Sequence, residues 1–564
     1  MKSKRLLAAV VSCTVIFSSL LVGCGSTKTT SNNISKSTPD KEQYLNVVLL
    51  KEPNTLDPSK VNDLYGYQVD NQVFEGLTRV EKDDKGNDVV KPAGAEKWDI
   101  SEDGLKWTFH LRDYEWSDGK KVTAKDFEYG IKRTLDPKTA AETELLYPIK
   151  NAEKYNSGKA KADEVGIKAI DDKTLEITLE SPCAYFLKTT YFRVMYPQRQ
   201  DIVEKYGEKY GTEVDKMIFC GPFKLKEWVH GNKIELEKND KYWDKDSVKL
   251  SKATMKIVED DGSAMQELYN GGIDVARVNS GEWREKFDKA GKYDVEKVKG
   301  TFVKYEVFNH KNKLFSNAKV RKAFALAIDR EDAGKVAFKT MGPAYGWVPT
   351  AVQIGDKNYR EVAGEEPLKK LKEENKDPKK LLIEGLKELG MDPDPSKLTI
   401  NYLQGMKGKG SKEVPEYFQA QYKKVLDVNM KIEALEWPVF MKKIKNSDFE
   451  ISSLGWSLDY DDPMGSLGMW VKSSSNQIPN NYSNPKYDEL VKKAAALSPK
   501  KNDERLELFK QAENVLLYED AAVAPIADGN KDFYKHKYVK KIIIPSFGSE
   551  LDLKYVYTEG RESK

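Results

Sequence analysis

The sequence predicts a mixed α/β protein of several domains behind an N-terminal export segment, on three observations. The chain has 564 residues, enough for roughly two to four domains. Its residues are 39% hydrophobic and 10% aromatic, a share that argues against disorder yet is too low for a polytopic membrane protein. From residue 44 onward, short strand-like runs alternate with helix-like ones throughout.

The charges nearly cancel, 93 basic against 90 acidic, which is not the basic excess of a nucleic-acid-binding domain. Four cysteines and four histidines are too few for a disulfide scaffold or a multi-ligand zinc protein.

Lys2, Lys4 and Arg5 precede an apolar stretch, 6–22, interrupted only by Ser, Thr and Cys, as in a secretory signal peptide or a single membrane anchor. Residues 25–43 are rich in Ser, Thr and Lys and read as a flexible tether, since they cannot bury a core face. No later apolar run reaches the length of about 18 residues that a membrane span needs. Residues 45–50 form a short apolar strand, and 106–111 alternate like a half-exposed one. Thr123 and Asp126 have the spacing of a capping box that opens a helix through about Arg133. Further strands are expected at 175–179 and 233–236, and a helix with one apolar face at 321–328. Asp377 before Pro378 is an N-cap with proline at the first helical position, and Gly390 stops that helix. The lysine-rich stretch 365–380 reads as a solvated helix and loop. Runs at 542–544 and 553–557 are expected to close the chain as strands.

Catalytic motifs are sparse. No G-x-S-x-G or H-E-x-x-H occurs, and His110, His230, His310 and His536 are scattered. In 405–412 the lysine and serine stand in the wrong order for a phosphate loop, and 83–88 reads as a hairpin turn rather than a calcium loop. What stands out is 455–463, where Trp456, Tyr460 and the carboxylates of Asp459, Asp461 and Asp462 crowd together after a strand-like run, with Trp437 upstream. The segment is either a polar turn flanked by core aromatics or a ligand-facing loop whose carboxylates receive an ammonium between aromatic walls.

Several segments carry a resemblance. They are 52–58 leading to 73–77, 95–98 with 107–112 and 116–119, 122–127, 221–225, 320–323 with 327–330, and 455–463. In number, order and spacing they resemble the oligopeptide-binding lipoproteins of bacterial ABC transporters, large extracellular solute-binding proteins of the oligopeptide permease receptor type. Leu21-Val22-Gly23-Cys24 is similar to the lipobox of such lipoproteins, which implies a signal peptide over 1–23, lipid on Cys24 and a tether over 24–43. Loss of Lys2, Lys4 and Arg5 with that peptide leaves the mature chain formally neutral.

The resemblance implies a bilobal periplasmic-binding-protein-like fold with an extra third domain and a hinge. Domain I would be discontinuous (44–73, 199–299 and 530–564), domain II would be 74–198 and domain III 300–529. Ligand would lie between domains I and III and be buried by hinge closure. Asp459 matches the family's aspartate that pairs with the peptide α-ammonium, and Trp437 and Trp456 match tryptophans lining the first pockets, with Tyr460 in the same motif. Asn62, Asp63 and Leu64 match a loop whose backbone flanks the ligand N-terminus. The chain departs from the pattern at Ser453, an arginine in some enteric members, and at 527–529, where many members carry tyrosines.

The implied partners are an oligopeptide, the transmembrane subunits of an ABC permease and, through the lipid, the outer face of the cell membrane. The implied protein is a monomer without cofactor, metal, nucleic acid or covalent chemistry of its own. Other members of the fold bind oligosaccharides, nickel complexes, haem or peptide pheromones. An extracellular location permits a disulfide between Cys183 and Cys220, and two separately buried thiols are the other reading.

Overall fold

The structure, a computed structural model, describes residues 38–139, 142–338, 341–406, 413–472, 474 and 478–561. The export segment, Cys24, the tether up to residue 37 and most of the 405–412 run lie outside the described residues.

An eleven-stranded sheet runs through the described chain. At its centre two long antiparallel strands, Tyr293–Phe308 and Val523–His536, lie side by side. On one side follow Ile451–Ser457, Thr399–Met406 and Asn429–Glu436. On the other come Val275–Arg277, Tyr44–Leu49, Lys252–Ile257, Lys233–Lys238 and Phe223–Val229, and the short strand Met341–Pro343 pairs with Val523–His536 off this path. Both wings include parallel pairs, Tyr44–Leu49 with Lys252–Ile257 and Thr399–Met406 with Asn429–Glu436. A separate four-stranded antiparallel sheet (Ala95–Ile100, Lys106–Leu111, Thr174–Thr178, Ile167–Ala169) packs with the helix Ala124–Leu135.

The two long strands are the chain's crossing between wings, and their ladder breaks where the crossing occurs. Its register slips between Val298 and Phe302, opposite Gly529. A Cβ on Gly300 would lie 1.1 Å from the Gly529 carbonyl oxygen. The backbones touch there, and only a residue without a side chain fits. One core cluster lies under the outer wing around Phe308, Phe324, Tyr402 and Phe418, and another is built on Met265, Phe287 and Tyr534.

Local expectations hold where a physical stop or cap was visible. Strands form at Tyr44–Leu49, Lys106–Leu111, Thr174–Thr178 and Lys233–Lys238. The Thr123/Asp126 capping box is present, Asp377 accepts from the Lys380 N–H, and Gly390 takes the left-handed conformation (φ 62°). Residues 83–88 make the turn between paired strands Thr78–Lys82 and Asp88–Pro92. The C-terminal strands are a correction. In 542–544 only Ile543 pairs, as a single bridge to Asp552, and pairing in 553–558 is confined to Tyr557–Thr558. Lys541 at φ 54° and Pro545, which has no N–H to donate, bracket the isoleucines too tightly for a ladder. In the 365–380 stretch the helix Pro367–Glu374 is not wholly solvated, because Leu368 and Leu371 are buried.

Cys183 and Cys220 are each buried as free thiols, so the bond between them does not form. Cys183 packs beside Tyr185 and near Asp462, with its thiol pushed up to about 12 by burial. Cys220 sits under the end of the helix Leu64–Val73, its N–H donating to the Val73 carbonyl.

Candidate functional site

The 455–463 segment continues the strand Ile451–Ser457, whose partner is the long strand Tyr293–Phe308. Past Ser457 the chain is fixed residue by residue. Leu458 is buried and its N–H donates to the Thr301 carbonyl at 3.1 Å. Tyr460 stacks on Tyr185, centroids 4.1 Å apart and ring planes nearly parallel, so it packs the loop onto the four-stranded-sheet region. Asp461 is buried in an ion pair with Lys188 at 2.7 Å and accepts from the Gln353 N–H at 2.6 Å. Burial pushes its carboxyl up to about 6, against the pull of the lysine. Asp462 caps the helix Pro463–Leu467 and pairs with the buried Arg505 at 2.8 Å. Three of the motif's polar side chains are thus consumed in holding the loop.

Asp459 is not. It is exposed and has no hydrogen bond or ion pair among the described residues. Desolvation by the surrounding protein raises its pKa above the ordinary carboxylate value, and Glu142 and Glu144 add to the rise. These two glutamates are exposed, Glu142 just before the short helix Glu144–Leu146 and Glu144 at its start, and make an acidic neighbourhood with Asp459. Arg193 joins Glu142 (2.9 Å) to the Pro58 carbonyl (3.3 Å), tying that neighbourhood to the loop that leads into the helix Leu64–Val73.

That loop holds Asn62, Asp63 and Leu64. Asp63 caps the helix, its Oδ1 accepting from the Tyr65 and Gly66 N–H groups at 3.0 and 2.8 Å. Asn62 and Leu64 are exposed. No hydrogen bond or ion pair joins these three to Asp459 among the described residues.

The aromatics divide between the two faces of the sheet. Trp456 is half-buried, and its Nε1 has no acceptor among the described residues. Trp437 opens the helix Trp437–Lys445 with Pro438 behind it, is 43% exposed, and packs on Phe440 and over Gly405. On the opposite face from Trp456, the Phe302 ring covers Gly455 so closely that a Cβ there would meet it at 2.3 Å. Glu142, Glu144, Arg193, Tyr185, Lys188 and Phe302 escape a reading of the sequence, because each reaches the site from a distant segment.

The comparisons agree with this architecture. Residues 89–477 match the model of the middle region of bacterial extracellular solute-binding proteins, family 5. The chain belongs to this family. The dipeptide-binding protein DppE of Bacillus subtilis (strain 168) is 35% identical over 543 residues, covering 95% of this chain and 96% of that protein. Among solved structures, the fold matches the unliganded open form of the murein tripeptide-binding protein MppA, with a TM-score of 0.81 and 26% identity over 93% of this chain and 99% of that one. Listeria monocytogenes OppA bound to peptide matches with a TM-score of 0.65 and 31% identity over 92% of this chain and 99% of that one. The fold is the bilobal one of periplasmic-binding-protein-like receptors. Among the described residues no helix is long and apolar enough to cross a membrane.

Proposed function

We propose that this protein is a receptor that captures oligopeptides between two lobes and delivers them to an ABC permease, without covalent chemistry of its own. The observation that carries the reading is Asp459. In a motif whose other carboxylates are paired and buried, it alone is held accessible and without a counter-charge. A ligand ammonium taken into a closing cleft needs such a partner, since a buried charge left unpaired costs several kcal/mol. Peptides of varied sequence share that ammonium and a main chain, and Trp437, Trp456 and the 62–64 loop supply walls and backbone for the rest. The peptide-bound relative and the dipeptide-binding relative support this ligand class.

In this reading the domains divide at 73/74, 198/199, 299/300 and 529/530, and the lobes turn about the contact of Gly300 with Gly529. The higher TM-score with an unliganded open form than with a peptide-bound one supports a cleft that stands open before ligand arrives. The mature protein is a monomer held at the outer membrane face by lipid on Cys24.

One preparation tests these points. Mass spectrometry of protein purified from its own membranes should show a diacyl addition at Cys24 and a family of co-purified short peptides. A single sugar or metal complex in their place overturns the ligand class, and an unmodified Cys24 overturns the anchor. On adding peptide to stripped protein, the radius of gyration should fall. An unchanged value argues against hinge closure.

A further inference from the structure

The exposed side chain of Asp459 stands between two pinned neighbours. Before it, Leu458 is buried and bound through its N–H to the Thr301 carbonyl. After it, Tyr460 and Asp461 are gripped by a turn 273 residues earlier in the chain. Tyr185 of that turn stacks on Tyr460, and Lys188 donates to Asp461 Oδ2 at 2.7 Å. The same ammonium donates to the Gln353 carbonyl at 3.2 Å, while the Gln353 N–H donates to Asp461 Oδ1 at 2.6 Å. Lys188, Asp461 and the Gln353 backbone thus close a ring in which both carboxylate oxygens are used. The lysine and aspartate side chains are 11% and 4% exposed, so solvent and salt screen the pair little.

The turn that offers Tyr185 and Lys188 is itself firmly seated. Phe186 is fully buried, its ring edge-on to Trp107 of the strand Lys106–Leu111 with centroids 5.3 Å apart. The Thr189 hydroxyl donates to the Phe186 carbonyl at 2.7 Å. The ring therefore fastens positions 460 and 461 to the core of the four-stranded sheet, and Asp459 is the next residue along. Lys188 makes no hydrogen bond or ion pair with Asp459 among the described residues, so any influence on it passes through the backbone of 459–461. Without the lysine, the buried Asp461 carboxylate loses its counter-charge, and a loop that turns toward water to solvate it carries Asp459 along. A charge-assisted hydrogen bond to an ammonium forms at about 2.7–2.9 Å, so a small displacement of the acceptor weakens it.

We propose that Lys188 is a positioning residue for ligand capture: through Asp461 it sets the place of the Asp459 carboxylate, and with it the affinity for a free peptide N-terminus. The role rests on the peptide reading above. In that reading Lys188 belongs to domain II and Asp459 to domain III, so the ammonium site is the joint product of two domains.

Isothermal titration of the wild type, Lys188→Met, Lys188→Arg, Asp459→Asn and the Lys188→Met/Asp459→Asn double variant with trialanine and N-acetyl-trialanine tests it. Lys188→Met should weaken trialanine binding by at least about fivefold and leave N-acetyl-trialanine within about twofold of the wild type. Lys188→Arg, which keeps the charge, should recover most of the loss. In the Asp459→Asn background, Lys188→Met should change trialanine affinity by less than about twofold, because its effect passes through Asp459. Equal losses for the two peptides, a full loss added to that of Asp459→Asn, or an unchanged affinity in Lys188→Met overturns the positioning role while leaving peptide binding in place. Should Lys188→Met fail to fold by circular dichroism, Asp461→Asn is read by the same criteria, since it keeps the acceptor for the Gln353 N–H and removes the charge from the pair. If the wild type binds neither peptide, yet shows another ligand by mass spectrometry, the peptide reading falls and the positioning role falls with it.

Discussion

Two charged regions of this molecule are built on opposite terms. Around Arg79, every arm of the guanidinium is used. Nε reaches Asp552 at 2.8 Å, Nη1 reaches Glu75 at 2.8 Å and Nη2 reaches the Asn71 carbonyl at 2.7 Å. Glu75 in turn accepts from the Tyr242 hydroxyl and from Trp243 Nε1. Arg79, Glu75 and Asp552 are all buried. Just past the strand Ile451–Ser457, Asp459 has no such partner among the described residues. Charge buried and fully paired ties distant segments together, whereas charge left accessible and unpaired is free to meet a partner from outside the chain.

The sharpest test of the first half of this contrast is Arg79→Met. It strands two carboxylates in a dry site, where breaking a buried pair costs about 3–5 kcal/mol. Urea unfolding should show that loss, with folding at neutral pH compromised. A change below 1 kcal/mol would mean the cluster is wetter and less structural than its geometry indicates.

Asp459→Asn should do the reverse. Unfolding should be almost unaffected, while peptide affinity falls at least tenfold, about 1.4 kcal/mol. N-acetylation of the peptide should cost the wild type a similar factor and the variant little. A variant that unfolds early would move Asp459 into the structural class.

The smallest expected effect concerns pH. Burial, then Glu142 and Glu144, raise the Asp459 pKa. The ionised form that receives an ammonium is complete above this raised pKa and is lost as pH falls through it. Affinity for a free N-terminus should therefore decline on acidification sooner than an ordinary aspartate would allow. Glu144→Gln removes one of the repelling charges and should move that decline to lower pH, changing affinity at pH 7 by less than about threefold. A profile indifferent to Glu144 would separate the two carboxylates.

Much of the local structure was legible in the chain. The Thr123/Asp126 box, the Asp377-Pro378 start, the Gly390 stop and the 83–88 turn depend on contacts within a few residues, and each forms as its chemistry requires. The final strands were legible only in part. Ile542, Ile543 and Ile544 are a good strand by propensity, but propensity does not supply a neighbour, and Pro545 removes a donor. In the same way, 455–463 could be singled out as polar and aromatic, but nothing local distinguishes Asp459 from Asp461 and Asp462. Their partners, Lys188, Gln353 and Arg505, lie 273, 108 and 43 residues away.

By itself the sequence determined the alternation of strands and helices, the caps and turns that bound them, and the motif order that marks the family. These follow from side chains acting on their own backbone. Only the tertiary structure decided which charges are paired and which are not: that Asp461 and Asp462 are consumed, that Asp459 is left exposed without a partner among the described residues, and that Cys183 and Cys220 are buried as separate thiols. Whether a charge is paired depends on residues brought close by strand register and packing, which place positions 304 and 455 side by side though 151 residues separate them in the chain.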